Sequence, residues 1–227
     1  MSTLPVLVFD VNETLLDLDA LAPHFERIFG RSTVLREWFA QLILYSEAIT
    51  LTGNYVPFGE LGGAVLRMIG ATEGIHIPDR ETQMVKEAIA TLPPHAEVPE
   101  ALARLRSAGF GMFTLTNNPR ATCEKQLRHA GIGHLFDGQF SVDDEVHRYK
   151  PAREVYRAVE EAVGVPTSQL WLVACHTWDV LGASAAGWNT ALILRPGNAP
   201  LGVGGQPLIT GDDLGEVADE ILKRYLG

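Results

Sequence analysis

The chain is poor in cysteine, in positive charge and in long apolar runs. Cys123 and Cys175 are its only cysteines in 227 residues. Their spacing suits neither a disulfide framework nor a metal motif, so both read as free thiols in a reducing compartment. No apolar run reaches the roughly 20 residues that a membrane-crossing helix needs. The N-terminus, MSTLPVLVFD, lacks the basic region and cleavage site of a secretory signal, and a cytoplasmic location is expected. Lysine and arginine total 18 against 28 aspartates and glutamates, a net charge of −10. That balance speaks against nucleic acid or an anionic membrane as partner and leaves a small molecule as the expected one. Internal repeats and low-complexity tracts are also missing; GVGG at 202–205 reads as a loop.

What is present is a 46% hydrophobic chain, enough for one large domain or for a core with an insertion. PVLVFD at 5–10 is a short apolar run ending in a carboxylate, as in a buried parallel strand. From Asp19 to about Thr91 the pattern turns helical, with Leu35, Trp38, Leu42, Tyr45 and Ile49 expected on one face. PPHAEVPE at 93–100 reads as a linker back to the main domain. A βα rhythm follows. Strands are expected at 110–116, 139–142, 170–174 and, last, 190–194. Helices are expected at 99–107, near 120–130, and at 151–163, 179–187 and 213–226. Such alternation gives an α/β fold, a Rossmann-like parallel sheet core with an inserted helical cap subdomain. The core is expected to comprise 1–17 and 98–227 and the cap 18–97. Ligands of such sheets bind at the carboxyl ends of the strands.

Four segments fall at that edge: DVNETLLD (10–17), TNNP (116–119), RYKP (148–151) and ACHTWD (174–179). Singly they are ambiguous. Asp10 and Asp179 could be helix caps, Thr116 to Pro119 a turn, and Lys150 a solvated loop residue. Together, in this order, they resemble the four motifs of the haloacid dehalogenase-like superfamily over essentially the whole chain, helical cap included. The resemblance implies that Asp10 is a nucleophile forming a covalent ester. Lys150 keeps it ionised. Thr116 and Asn117 donate to the carboxylate or to the oxyanion, and Asp179 orients Lys150 or the hydrolytic water.

Most relatives of this architecture are Mg²⁺-dependent phosphatases with a D-x-D pattern, whose second Asp protonates an alkoxide leaving group. Position 12 here is Asn, which cannot do so, whereas a halide leaves without that help. The finer resemblance is to the (S)-2-haloacid dehalogenases, which use no metal or cofactor. Asp10 to Leu15 resembles their D-x-Y-G-T-L loop, which makes Thr14 a further catalytic candidate. Lys150-Pro151 with Tyr156 resembles K-P-x-x-x-x-Y, and Trp178-Asp179 the end of N-A-W-D. Trp38, Tyr45-Ser46 and Asn54 to Phe58 resemble the cap helix and the aromatic wall of the substrate pocket. The substrate-binding candidates are accordingly Asn12, Phe39, Tyr45, Phe58, Asn118, Tyr156 and Trp178, with no metal ligands. Homodimerisation is expected by the same analogy.

Five positions depart from that family's pattern, one of them Ala174, where the pattern has serine two residues before the N-A-W-D asparagine. The arginine expected after the cap tryptophan is Phe39, with Arg36 nearly a helical turn away. The asparagine of N-A-W-D is His176, a candidate general base for ester hydrolysis. The loop's tyrosine is Asn12, and its glycine is Glu13, an acid unfavourable beside an anionic substrate unless it points away. Bland readings stand beside these. His176 could be a structural histidine, Cys175 buried filler, and Phe39, Tyr45, Phe58 and Tyr156 packing residues. The remaining histidines lack ligand spacing. The leading expectation is hydrolysis of small 2-haloacids through an aspartyl ester. The alternatives are a Mg²⁺-dependent phosphatase or other aspartate-nucleophile hydrolase, and a non-catalytic member binding a metabolite or protein.

Overall fold

The computed structural model describes residues 4–227. Its first strand, β1 (Val6–Phe9), is an apolar tetrapeptide whose Leu7, Val8 and Phe9 are fully buried. Burial of each such side chain contributes about 1.5–3 kcal/mol, which is why the run settles at the sheet's centre. Beside it stand β2 (Gly111–Thr116), β3 (Gly138–Ser141), β4 (Leu170–Ala174) and β5 (Asn189–Ile193). All pair in parallel, in the order β3-β2-β1-β4-β5-β6. The sixth strand, β6 (Ile209–Gly211), corrects the expectation that the strand at 190–194 was the last. Its three residues are too few to carry a period, and it is defined only by pairing with β5. The chain reverses direction across the sheet at β1 and β4, and the crevice at their carboxyl ends is the favoured ligand position of this topology.

Between β1 and β2 lie α1 (Ala22–Phe29), α2 (Val34–Thr52), α3 (Phe58–Thr72) and α4 (Asp79–Ile89), followed by α5 (Val98–Ser107). Trp38 organises the inserted helices. Its indole N–H donates to the Gly62 carbonyl at 2.9 Å, and its ring lies 5.4 Å from that of Phe25. A Cβ on Gly62 would stand 3.3 Å from the indole, so α2 and α3 cross closely there and a larger residue would press on the Trp38 ring. Both connections to the insertion run side by side, joined by Asp17 N–H to Pro93 O (2.8 Å) and His95 N–H to Leu15 O (3.0 Å). Pro99 does not end a linker but sits in the first turn of α5, where a missing N–H costs nothing.

The remaining helices are α6 (Arg120–His129), α7 (Val142–Glu145), α8 (Arg153–Val163), α9 (Thr177–Ala186) and α10 (Leu214–Leu226). Helix α9 starts two residues earlier than expected, which places Asp179 inside its first turn and His176 at its N-cap. Helices α8 and α9 approach closely at Gly182, where a Cβ would come within 2.4 Å of the Tyr156 hydroxyl. No helix among the described residues is long and apolar enough to cross a membrane.

Candidate active site

Asp10 follows β1, its backbone N–H bonded to Val173 O of β4 at 3.1 Å. The carboxylate is therefore anchored from the neighbouring strand. Lys150 Nζ donates to Asp10 Oδ1 at 2.7 Å, to Asp179 Oδ2 at 2.7 Å and to the Leu115 carbonyl at 3.1 Å, using all three of its donors. Its side chain is 0% exposed. The lysine is held in turn by Asn117, whose Oδ1 accepts from the Lys150 backbone N–H at 3.1 Å. Asp179 Oδ1 accepts from the Tyr156 hydroxyl at 2.6 Å.

The other oxygen of Asp10, Oδ2, meets two donors. Thr14 Oγ1 lies at 2.6 Å and His176 Nδ1 at 3.1 Å. The Cys175 backbone N–H donates to Thr14 Oγ1 at 3.0 Å, which leaves the threonine proton for Asp10. The second ring nitrogen of His176, Nε2, faces Glu13 Oε2 at 2.7 Å. Only the imidazolium has a donor for each of these carboxylates. Trp178 stacks on the ring at 4.9 Å, and Phe39 lies tilted against it at 5.4 Å. Glu13 also pairs with Arg36, which reaches Asp19 at 3.3 Å and the Pro196 carbonyl at 2.8 Å. Glu13 has a φ of +64°, a left-handed conformation that costs a non-glycine residue roughly 1–2 kcal/mol. The contacts of its carboxylate offset that strain.

These charges set one another's ionisation. Burial disfavours the Asp10 carboxylate, but Lys150 and His176 outweigh it and hold its pKa well below the usual carboxylate range. Burial likewise opposes the charge on Lys150, and Asp10 and Asp179 more than restore it, raising its pKa. Asp179 moves the other way, raised by burial and by the nearby Asp10 against the pull of Lys150. Burial favours neutral His176; the Asp10 and Glu13 carboxylates at its two ring nitrogens outweigh it, so that its pKa stands well above the usual value.

The model of the haloacid dehalogenase-like hydrolases matches residues 4–187. The chain belongs to that family. A (S)-2-haloacid dehalogenase of Pseudomonas sp. strain YL is 30% identical over 85% of this chain and 83% of its own length. One from Pseudomonas putida is 27% identical over 98% and 100%. Within the superfamily, the chain groups with the (S)-2-haloacid dehalogenases. Among solved structures, an L-2-haloacid dehalogenase superposes with a TM-score of 0.91 at 28% identity, covering 97% of this chain and 99% of that one. The L-2-haloacid dehalogenase of Xanthobacter autotrophicus, at 23% identity, shares the fold with a TM-score of 0.90 over 99% and 100%.

In this dehalogenase-like hydrolase a cavity of about 350 Å³ opens between the inserted helices and α6. Asn12, Phe39 and Asn118 line it on the side of the nucleophile loop, and Trp38, Leu42 and Phe58 form apolar wall. Of the expected substrate-binding residues, Asn12, Phe39, Phe58 and Asn118 thus meet at the cavity. Three do not. Tyr45 is 38% exposed and outside the lining, because α2 turns Ser46, not Tyr45, inward after Leu42. Tyr156 is buried against Asp179. Trp178 stacks on His176, with Lys150 Nζ 5.5 Å from its ring. Among the expected catalytic residues, Thr116 and Asn117 do not touch Asp10 among the described contacts. The Thr116 hydroxyl accepts from Asn118 N–H at 3.1 Å, and Asn117 serves Lys150. His176, expected as a base, presents no lone pair to water when both nitrogens donate to carboxylates.

Sequence reasoning missed three contributors. Glu13 was weighed only as a liability and Arg36 set aside as misplaced. Gln126 bears no motif, yet it donates to Asn12 Oδ1 at 2.8 Å and to the Ile89 carbonyl at 2.9 Å, and accepts from Asn118 Nδ2 at 3.3 Å. The simultaneous change at positions 13 and 176 was the available signal. Asp10, Cys175 and His176 bring donor atoms within 4.8 Å of one another. That thiol-and-imidazole set does not fit magnesium, which takes oxygen ligands, and Lys150 already occupies one oxygen of Asp10.

Tyr156→Phe tests the support behind Lys150. It removes the donor from Asp179 Oδ1 inside a buried network, and a loss of about 1–3 kcal/mol is expected in denaturant titration, with slower turnover.

Proposed function

We propose that the protein is a hydrolytic dehalogenase of small 2-haloacids, acting through an ester on Asp10. The observation that carries this reading is the buried Asp10 carboxylate, with the enclosed Lys150 ammonium 2.7 Å from both it and Asp179. Oδ1 accepts from Lys150 alone, whereas Oδ2 accepts from both Thr14 and His176. The less encumbered Oδ1 is the better nucleophile. Its electron pair forms the bond to the halide-bearing carbon with inversion, and the carbon–halogen pair leaves as halide. Water then adds to the Asp10 Cγ, and the charge develops on Oδ2, where Thr14 and His176 stand at 2.6 and 3.1 Å. Donors at that range of an oxyanion lower the barrier most. The Cγ–Oδ1 bond breaks to release the 2-hydroxyacid. One water proton ends on its hydroxyl, and the other is released as Asp10 re-ionises.

Asn12 supports halide rather than phosphate-ester chemistry. Its side chain has no acidic proton, and its Oδ1 is engaged by Gln126. Lys150, Asp179, Asn117 and Tyr156 act here by keeping Asp10 ionised and fixed. The test is halide release from (S)-2-chloropropionate and chloroacetate with a chelator present. Chelator-resistant release is expected; its absence, with phosphate-ester hydrolysis in Mg²⁺, would overturn the reading.

The cavity presents the Phe39 ring where the relatives' pattern has arginine. Phe39→Arg returns a cation to that wall, and a charged hydrogen bond contributes about 1.5–3 kcal/mol. The KM for 2-chloropropionate should fall by about 10-fold in steady-state assays.

A further inference from the structure

We propose that Glu13, clamped by Arg36, is a positioning residue that keeps His176 a doubly protonated imidazolium, so that its Nδ1–H acts as an oxyanion donor to Asp10. The inference rests on the dehalogenase reading, but goes beyond it to residues that take no part in bond making. The row is continuous: Asp10 Oδ2 to His176 Nδ1 at 3.1 Å, His176 Nε2 to Glu13 Oε2 at 2.7 Å, and Glu13 Oε1 to Arg36.

The chemistry of the ester explains why a second carboxylate is needed. In the free enzyme Asp10 itself holds the proton on His176. Once Oδ1 is alkylated, Asp10 carries no charge, and that attraction disappears at the start of the step in which the donor is used. Glu13 is unaffected by alkylation and keeps a full negative charge on the far side of the ring. Arg36 leaves the inserted helices to grip Glu13 and is itself fixed by Asp19 and the Pro196 carbonyl, so the carboxylate cannot swing away. The geometry also argues against the ring donating to the departing halide. Inline displacement places the halogen on the far side of the carbon from the attacking oxygen, while His176 sits beside Asp10.

The ionisable groups around the ring are few. Asp10 faces Nδ1 with Lys150 behind it, and Glu13 faces Nε2 with Arg36 behind it. Cys175 is the adjoining residue, and burial raises its thiol pKa, so it stays neutral. Phe39 and Trp178 pack against the ring without titrating. The imidazolium is therefore present at low pH and lost as pH rises through its own raised pKa, and removing the charge of Glu13 brings that loss to lower pH.

The experiment compares wild type with Glu13→Gln in single turnovers of (S)-2-chloropropionate from pH 6 to 9.5, following the halide burst and, by mass, the ester on Asp10. Wild-type ester hydrolysis should hold its rate to higher pH than that of the variant. In Glu13→Gln it should fall by about 10²-fold as pH rises, the size of losing one oxyanion donor, with little loss at pH 6 and a halide burst changed far less. Arg36→Met should show the same alkaline fall in smaller measure. A Glu13→Gln profile that stays flat, or that rises with pH as a general base would require, overturns the inference.

A readout independent of turnover is ¹⁵N NMR of histidine-labelled protein. His176 should lose its imidazolium proton at lower pH in Glu13→Gln than in wild type, Asp10 alone remaining to hold it. If wild type releases no halide, the dehalogenase reading fails, and this titration alone still decides whether Glu13 sets the charge of His176. An unshifted His176 titration in the variant would mean that it does not.

Discussion

Asp10→Asn protein is expected to release halide from (S)-2-chloropropionate no faster than buffer, a loss on the order of 10⁴-fold or more. The size follows from what the amide cannot do. It carries no charge to attack carbon, and no other described side chain stands in the same grip of Lys150, Thr14 and His176. The amide nitrogen would also point a donor at Lys150 on one side or at Thr14 and His176 on the other, so the pocket is electrostatically wrong for it in either orientation. A halide-specific assay with the chelator present measures this directly. Undiminished release would remove Asp10 from the chemistry and with it the ester.

Lys150→Met should be almost as damaging to turnover, and it should also destabilise the fold. The lysine is fully enclosed, and its three hydrogen bonds all end inside the site. Methionine fills a similar volume but leaves Asp10 and Asp179 as two buried carboxylates sharing a site without their cation. Breaking a buried pair in this way costs about 3–5 kcal/mol, readable as a lower denaturation midpoint at pH 7. The sign of its pH dependence follows from linkage. Without Lys150 the two carboxylate pKa values rise in the folded state, which then binds more protons than the unfolded chain. The variant should therefore recover stability as pH falls towards 4, whereas wild-type Asp10, with its depressed pKa, contributes stability that is lost on acidification. Turnover should fall at neutral pH because a protonated Asp10 is a poor nucleophile. A variant as stable as wild type at pH 7 would refute this account of the charge network.

The fold was legible where burial dominates the local pattern. PVLVFD and LWLVA are continuous apolar runs, and β1 and β4 pair at the centre of the sheet. β6 was not legible, because its three residues are a strand only by virtue of β5. Tyr45 was misplaced because a spacing of three after Leu42 and a spacing of four both satisfy a helical period, and packing chose Ser46. At the site, Asp10, Lys150 and Asp179 could be read from position, since each lies at the carboxyl edge of the sheet that topology selects. The row from His176 to Arg36 could not. It joins residues 163 positions apart in one contact and 23 in the next, and it depends on the left-handed backbone at Glu13. A glycine-to-glutamate change reads as damage until the imidazole that it meets is in view.

That left-handed turn has a consequence for how such a site could arise or revert. Glutamate at position 13 bears backbone strain that glycine would not, so it is held there only by its partners. Asparagine in place of His176 alone would strand the Glu13 carboxylate with Arg36 as its one remaining partner. Glycine in place of Glu13 alone would leave the imidazolium dependent on an aspartate that loses its charge in every catalytic cycle. Either single change thus leaves one charge of the pair without the partner that holds it here. The two residues are energetically coupled, and a double-mutant cycle at 13 and 176 should be non-additive.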